Sequence, residues 1–358
     1  MGYEEGLAVI DEGSAFLNPL SRFPRDMSVA ILSCFSGKKT LLDSTSATGI
    51  RGIRYAKELG IENATFLDIN KEASISARKN LSDNGIRAEV LNESIQSFAN
   101  SSEERFDIID LDPFGSPVPN LYDLMKISRD GTIFLVSATD TAVLCGAQPE
   151  ACMKMYGSVP LHDELCHEAG LRILIGYCAR ISAQFNYGID VIFSFSYRHM
   201  MRIAFVLRHG AANSSSTVHS LGFAYHCMDC RNIDTKIGFI PKQSVCRACG
   251  AGAVSSGIMW LGPLYDEKVR RDACSYFVRS GFPDAKIASM ISEETDSLFY
   301  YSLPVLTKIA RMPSVSPGKV ISSLREGGFS ASLTHMEKES IRTSCPIGKL
   351  MDVIASLA

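Results

Sequence analysis

Five short apolar runs, at about residues 39–43, 63–67, 86–91, 106–111 and 131–137, alternate with segments of helical periodicity near 50–60, 70–84 and 118–128. A run that is apolar throughout suits a strand covered on both faces, and strands separated by helices pair in parallel, each connection crossing a face of the sheet. The pattern predicts a doubly wound α/β sheet. Further along, a long helical stretch at 162–186 precedes two alternating segments, Ile189-Asp-Val-Ile-Phe-Ser-Phe and Met201-Arg-Ile-Ala-Phe-Val-Leu. They join near Tyr197-Arg198-His199 and predict an antiparallel hairpin that brings the sheet to seven strands. His199 reads there as a turn or core residue rather than a catalyst.

Open sheets of this kind bind ligands at the C-terminal ends of their strands, near the switch in strand order. The first run ends on Asp43 and gives way to a loop, Ser44-Thr-Ser-Ala-Thr-Gly49-Ile-Arg51-Gly52, before a helix that extends to Leu59. The second ends on Asp68, 19 residues beyond Gly49, a placement that suits an acceptor for a pair of ribose hydroxyls. Neither G-x-G-x-x-G nor G-x-x-x-x-G-K-[ST] is present, so a phosphate cradle is weakly supported. S-adenosylmethionine needs none.

The run at 106–111 stops on Asp112-Pro113-Phe114-Gly115. A carboxylate at Asp112 and the Pro113 carbonyl can each accept an N–H from an aromatic amine, drawing its nitrogen toward tetrahedral geometry, while Phe114 offers a stacking face. The amine then becomes a nucleophile, and the carboxylate can take the proton it sheds. Asp-Pro also ends strands with no function attached. Together with a cofactor loop in the same sheet, the turn points to methyl transfer onto a nucleobase amine.

Cys227-x2-Cys230 and Cys246-x2-Cys249 lie 15 residues apart, the spacing of two knuckles that supply four thiolates to a structural zinc ion. A redox pair is the lesser alternative for either motif. His226 abuts the first knuckle and reads as a bystander.

These motifs, in this order, resemble the archaeal-type tRNA (guanine-26, N2) dimethyltransferases. The likeness begins at Phe16-Leu-Asn-Pro19 and Arg25-Asp26-Met-Ser-Val and passes through the Gly49–Gly52 loop, Asp68 and the Asp112 turn. It continues in Ala138-Thr-Asp140-Thr-Ala-Val-Leu-Cys145-Gly146, in His167-Glu168-Ala-Gly-Leu-Arg172 and in the paired knuckles. The resemblance implies a Rossmann-like class I methyltransferase sheet, with a zinc-knuckle-containing, mainly helical α+β C-terminal part. It implies two successive methyl transfers from S-adenosylmethionine to the exocyclic N2 of guanosine 26. Asp112 would be catalytic with Pro113 and Phe114 beside it, and the four cysteines would hold zinc. The cofactor would meet Arg25, Asp43, Gly49, Arg51 and Asp68. Where the family often carries Asp-Ala after the third strand, this chain has Ser94-Ile95 after Asn92-Glu93, so either Ser94 or Glu93 takes the adenine contact. Near the C-terminus Leu333 stands where a basic residue is expected before Thr334-His335, and Arg342-Thr343-Ser344 keeps part of a Lys-Thr-Asp pattern.

Composition fits this class. The chain has 358 residues, 46% of them hydrophobic, enough to bury a large core. Residues 1–171 carry 15 Lys/Arg against 25 Asp/Glu, whereas 172–358 carry 21 against 14, so an overall charge of −3 hides a basic second half. Asn213-Ser-Ser-Ser-Thr217 reads as a flexible break between a methyltransferase domain at 1–212 and a zinc- and tRNA-binding domain at 218–358. Lys319 and Arg325, on a helix feeding a short strand, are candidate phosphate contacts. Eleven cysteines, an acidic start without an apolar leader and no run near ~20 apolar residues predict a cytoplasmic protein with reduced thiols and no membrane span. The expected partner is tRNA, and no obligate protein partner is implied. An adenine N6-methyltransferase and a non-catalytic, zinc-stabilised tRNA-binding protein are the competing readings.

Overall fold

The computed structural model describes residues 2–11, 13 and 15–358. A small antiparallel hairpin, β1 (Tyr3–Glu5) and β2 (Ala8–Ile10), leads to α1 (Arg22–Leu32), buried at every position from Phe23 onward. The alternation expected from the sequence then follows: β3 (Thr40–Asp43), α2 (Ile50–Leu59), β4 (Asn63–Leu67), α3 (Lys71–Asp83), β5 (Glu89–Leu91), α4 (Ile95–Ser101), β6 (Ile108–Leu111), α5 (Val118–Lys126) and β7 (Ile133–Ala138). All residues of β6 and β7 are buried, which is why they read as unbroken apolar runs. Side-chain caps fix several helix starts: Asn70 accepts from the Glu72 and Ala73 amides, and Ser94 accepts from Ser97 at 3.1 Å.

After α6 (Thr141–Leu144), α7 (Pro149–Tyr156) and the long α8 (Cys166–Gln184), the hairpin β8 (Tyr187–Tyr197) and β9 (Met200–His209) completes a seven-stranded sheet. Its order is β5-β4-β3-β6-β7-β9-β8, with β9 antiparallel to both neighbours and the other adjacent pairs parallel. The order reverses between β3 and β6, so the crevice beyond their C-terminal ends is where a ligand should sit.

The polar string Asn213–Thr217 is helical, inside α9 (Ala211–Val218). Thr217 Oγ1 accepts from the Ile189 amide at 2.9 Å, and a Cβ on Gly188 would lie 2.4 Å from the Asn213 carbonyl oxygen. Short side chains here let the helix lie tight on β8; they do not mark a loose linker. Next comes a three-stranded antiparallel sheet of β10 (Leu221–Cys227), β11 (Ile233–Ile237) and β12 (Ala253–Trp260), with β10 central. Met259 and Trp260 share one hydrophobic core with Leu171 and Leu174 of α8 and with Phe299 and Tyr300.

The chain continues through α10 (Glu267–Arg279), α11 (Ala285–Glu293), β13 (Tyr301–Ser302), α12 (Leu303–Ile309), α13 (Pro317–Glu326), β14 (Ala331–Leu333), β15 (Ser340–Thr343) and α14 (Ile347–Leu357). Helix between residues 297 and 311 is confined to α12, because Tyr301 and Ser302 pair with β15. These last elements have a small core of their own, including Leu306, Val320, Leu324 and Leu350.

An ion cluster ties them back. Arg342 of β15 donates to Glu168 Oε2 of α8 at 2.8 Å and to Glu294 Oε2 at 2.9 Å. Arg172 takes Glu168 Oε1 at 2.8 Å, and the His335 amide and ring take Glu294 Oε1 at 2.7 and 2.5 Å. Among the described residues no helix is long and apolar enough to cross a membrane.

Candidate active site

A cavity of about 820 Å3 opens at the C-terminal ends of β3, β4 and β6, walled by residues 16–25 on one side and the β8–β9 turn on another. The floor is the loop after β3. Ser44 donates its amide and Oγ to the Asp110 carbonyl at 3.0 and 2.7 Å, and the Ser46 amide bonds the Leu67 carbonyl at 3.0 Å. Gly49 turns the chain into α2 at φ +80, and at Gly52 a Cβ would lie 2.4 Å from the Phe66 ring. Glycine at 52 therefore sets how closely α2 approaches β4.

Asp68 ends β4 with Oδ2 accepting from the Ala47 amide and Oδ1 from the Asn70 amide, both at 2.9 Å. Each oxygen keeps acceptor capacity for a ligand in the cavity. Asp112 is anchored by its own amide, which donates to Thr45 Oγ1 at 2.9 Å. Three residues on, Gly115 at φ +77 donates to Thr139 Oγ1 at 2.7 Å and accepts from the Thr139 amide at 2.9 Å. The turn is thus pinned at both ends.

The Asp112 carboxylate faces Arg51, whose Nη2 bonds Oδ2. Burial alone would raise the Asp112 carboxyl, but the Arg51 and Arg202 guanidiniums outweigh it and hold the group below the usual carboxylate range. Beneath lies a charged layer. Arg202 donates to Asp110 Oδ2 and Ser137 Oγ, each at 2.6 Å, and Tyr55 also donates to Asp110 Oδ2 at 2.6 Å. Asp43, fully buried next to Asp110, is pushed up to about 7 by desolvation and by that neighbouring charge.

Two features mark the cavity as a ligand site. Phe16, Leu20, Ile69 and Phe114, four large apolar side chains on its walls, are 56, 64, 75 and 77% exposed. Phe16 meets Phe114 edge to face, centroids 4.8 Å apart. Three buried polar atoms on the same walls, Ser46 Oγ, Thr48 Oγ1 and Arg51 Nη1, have no partner in the protein. Such atoms are costly unless a ligand or water meets them.

The second constellation is the cysteine quartet. The Cys227, Cys230, Cys246 and Cys249 sulfurs all lie within 4.8 Å of one another, with Cys227–Cys249 at 3.5 Å and Cys230–Cys246 at 3.6 Å. Bonds of about 2.3 Å to a shared tetrahedral ion place sulfurs roughly 3.8 Å apart, so the quartet fits zinc and fills its shell. Backbone amides of Cys230 and Ala248 point at the Cys227 and Cys246 sulfurs, which favours thiolates. His226 stands outside the quartet, buried and bonded to Asp163 Oδ2 at 2.7 Å.

The family model described as N2,N2-dimethylguanosine tRNA methyltransferase matches residues 3–355. The chain belongs to that family. It is 34% identical over 354 residues to the tRNA (guanine(26)-N(2))-dimethyltransferase of Methanothermobacter thermautotrophicus, covering 96% of this chain and 93% of the relative. Against the Thermococcus kodakarensis protein of the same name identity is 36%, with 97% and 95% covered. A solved complex of Trm1 from Pyrococcus horikoshii with S-adenosyl-L-methionine superposes with a TM-score of 0.90 at 31% identity, covering 99% of each chain.

In this N2,N2-dimethylguanosine tRNA methyltransferase family member, Arg25, Arg51, Asp68, Asp112, Pro113 and Phe114 are brought together on the cavity wall. Asp43 and Gly49 are not on it. Asp43 lies beneath, accepting from the Gly52 amide at 3.1 Å, and Gly49 shapes the turn. Ser94 and Ile95 do not line the cavity: Ser94 caps α4, and Ile95 is buried in the core. Glu93 is also off the wall, bonded to Ser97 Oγ. Arg25 is largely occupied, its Nε and Nη2 holding Glu5 at 2.7 and 2.5 Å. The sequence reading missed Ile69, Thr139 and His199, all lining the cavity. Ile69 carried a usable signal, an apolar residue directly after the strand-ending carboxylate.

Proposed function

We propose that the chain transfers methyl groups from S-adenosylmethionine to the exocyclic N2 of guanosine 26 in tRNA, twice in succession. The observation that carries this reading is a carboxylate–guanidinium pair, Asp112 with Arg51, set among exposed aromatic and aliphatic walls. The names of the relatives supply the base and its position.

The cofactor, when bound, supplies an electrophilic methyl group on a sulfonium. Asp68 would take its ribose hydroxyls on the free acceptor positions, and Ile69 would cover an apolar face. Arg51 would offer Nη1, buried without a partner, to an anionic group such as the amino-acid carboxylate. Phe114, with Phe16 at its edge, would stack on the target base. Asp112 and the Pro113 carbonyl would accept the amine hydrogens, and Asp112 would then take the proton released when the new N–C bond forms. A carboxylate held low by Arg51 remains competent there, because a protonated aromatic amine is a strong acid. It also stays ionised and ready throughout the neutral range.

We read residues 1–212 as the part that handles cofactor and base, and 218–358 as the part that holds zinc and engages tRNA. With its shell filled by four thiolates, the zinc is structural. Replacing both Cys246 and Cys249 by Ser should remove it and weaken tRNA binding while cofactor binding persists. We place the enzyme in the cytoplasm, where it would meet tRNA.

The deciding experiment is incubation with S-adenosylmethionine and unmodified tRNA transcripts, followed by nucleoside mass spectrometry and mapping. N2-methyl- and N2,N2-dimethylguanosine at position 26 are the expected products. N6-methyladenosine, or no methylated nucleoside despite cofactor binding, would replace this reading with one of its competitors.

A further inference from the structure

Outside the quartet, a second set of metal-type ligands converges from the end of α6 and the start of α8. Cys145 follows α6, Cys166 and His167 open α8, and their Sγ and ring-nitrogen atoms all lie within 4.8 Å of one another. Glu337, from the loop between β14 and β15, brings Oε2 to 3.6 Å from His167 Nδ1. That separation is too long for a hydrogen bond, and Nδ1 is indeed buried without a partner. Glu337 stands outside the group of mutually close ligand atoms, so as placed it flanks the site beside His167.

We propose that Cys145, Cys166 and His167 bind a second zinc ion, with water or a turned Glu337 side chain in the fourth position. The donor set the fold brings together is two soft sulfurs and an imidazole, which zinc accepts and which hard cations such as magnesium do not favour. The fold already holds the ligands in place. The Cys145 sulfur is directed at the first turn of α8, 3.6 Å from the Cys166 carbonyl, and the Cys145 carbonyl is held by His162 Nδ1 at 3.0 Å. Gly146 is packed so tightly that a Cβ would meet the Leu161 carbonyl oxygen at 2.5 Å. The chain leaving Cys145 is therefore confined against the segment that leads to Cys166 and His167.

A bound ion would engage the His167 ring, whose Nδ1 has no partner in the protein. It would also join the end of β7, through α6, to the start of α8. Thr139, which pins the Asp112 turn, lies at that end of β7, so the ion would brace the active-site side of the sheet from behind. The inference stands on this cluster alone and does not depend on which base is methylated.

The test is metal stoichiometry on the full-length protein. It should be loaded with zinc sulfate under reducing conditions, freed of excess by gel filtration and read by elemental analysis. Wild type should carry two zinc ions per chain. Cys166→Ser with His167→Gln should carry one, as should Cys246→Ser with Cys249→Ser. Cobalt(II) substitution separates the sites even if the knuckle variant fails to fold: the wild-type spectrum minus that of the Cys166→Ser, His167→Gln protein should retain thiolate-to-cobalt charge-transfer bands. One zinc in wild type, or two in the Cys166/His167 variant, overturns the proposal. So does a non-reduced wild type with one zinc and two thiols fewer than the reduced protein, which would make Cys145 and Cys166 a disulfide pair.

Discussion

Two of the buried charge networks in this molecule are finished differently. Around Glu168, Arg172, Glu294, His335 and Arg342, none of the buried side-chain polar atoms lacks a partner. Around Asp112 and Arg51, the layer that reaches the cavity leaves Arg51 Nη1, Ser46 Oγ, Thr48 Oγ1 and, deeper, Asp110 Oδ1 unmet. A closed network can only hold things together. An open one has hydrogen-bonding capacity reserved for something that is not part of the chain.

The sharpest way to break the comparison is to change charge in each network and see whether rate or stability responds. Asp112→Asn keeps an acceptor but removes the base, and should lower single-turnover methylation by about 10²–10⁴-fold with cofactor affinity retained. Turnover near wild type would mean that Asp112 only ends a strand. Arg342→Ala leaves two buried carboxylates short of a partner and should cost about 3–5 kcal/mol in urea unfolding, while activity per folded molecule is kept. The same cluster predicts a pH signature. Burial would raise Glu294, but His335 and Arg342 outweigh it and hold the carboxyl down at about 2, against an ordinary 4.5. Its stabilising contribution is therefore complete above about pH 4.5 and lost as pH falls toward 2. Glu294→Gln should flatten the stability curve in that window; an unchanged acid limb would remove Glu294 as its source.

Smaller effects sharpen the open side. Asp68→Ala should weaken S-adenosylmethionine binding by about 1.5–3 kcal/mol, roughly ten- to a hundred-fold in Kd by calorimetry, with less effect on saturated turnover. Unchanged affinity would make Asp68 a strand end that serves only the Ala47 and Asn70 amides. Phe16→Leu removes an edge-to-face contact worth about 0.5–1.5 kcal/mol and should appear as a several-fold rise in KM for tRNA. A fall in kcat at unchanged KM would place Phe16 in the chemistry instead.

The sheet was legible because its strands are buried on both faces, and the knuckles were legible because thiolate spacing is set by the ion they share. What could not be read was partnership across the chain. Arg51 and Asp112 are 61 residues apart, and nothing local to either announces the pair. Ser94 follows a strand and precedes a helix, and there a cap and a cofactor contact look alike until the side chain is seen bonded to Ser97. Arg342 and His335 lie in the basic half of the chain, yet both are spent inside the protein. Lys319 remains exposed, while Arg325 donates to the Ala331 carbonyl at 2.9 Å. The run Asn213–Thr217 has the composition of a linker and packs as a helix, because smallness serves flexibility and close approach equally well.

The span of the Glu168–Arg342 bond, 174 residues, also has a meaning in time. The central sheet has all its strands once His209 has been made, but Glu168 on α8 waits for Arg342 until a long further stretch of chain has followed. A nascent or prematurely terminated chain would hold a carboxylate in its interior with only Arg172 to balance it. The packing around α8 thus depends on a segment made long after the sheet it serves.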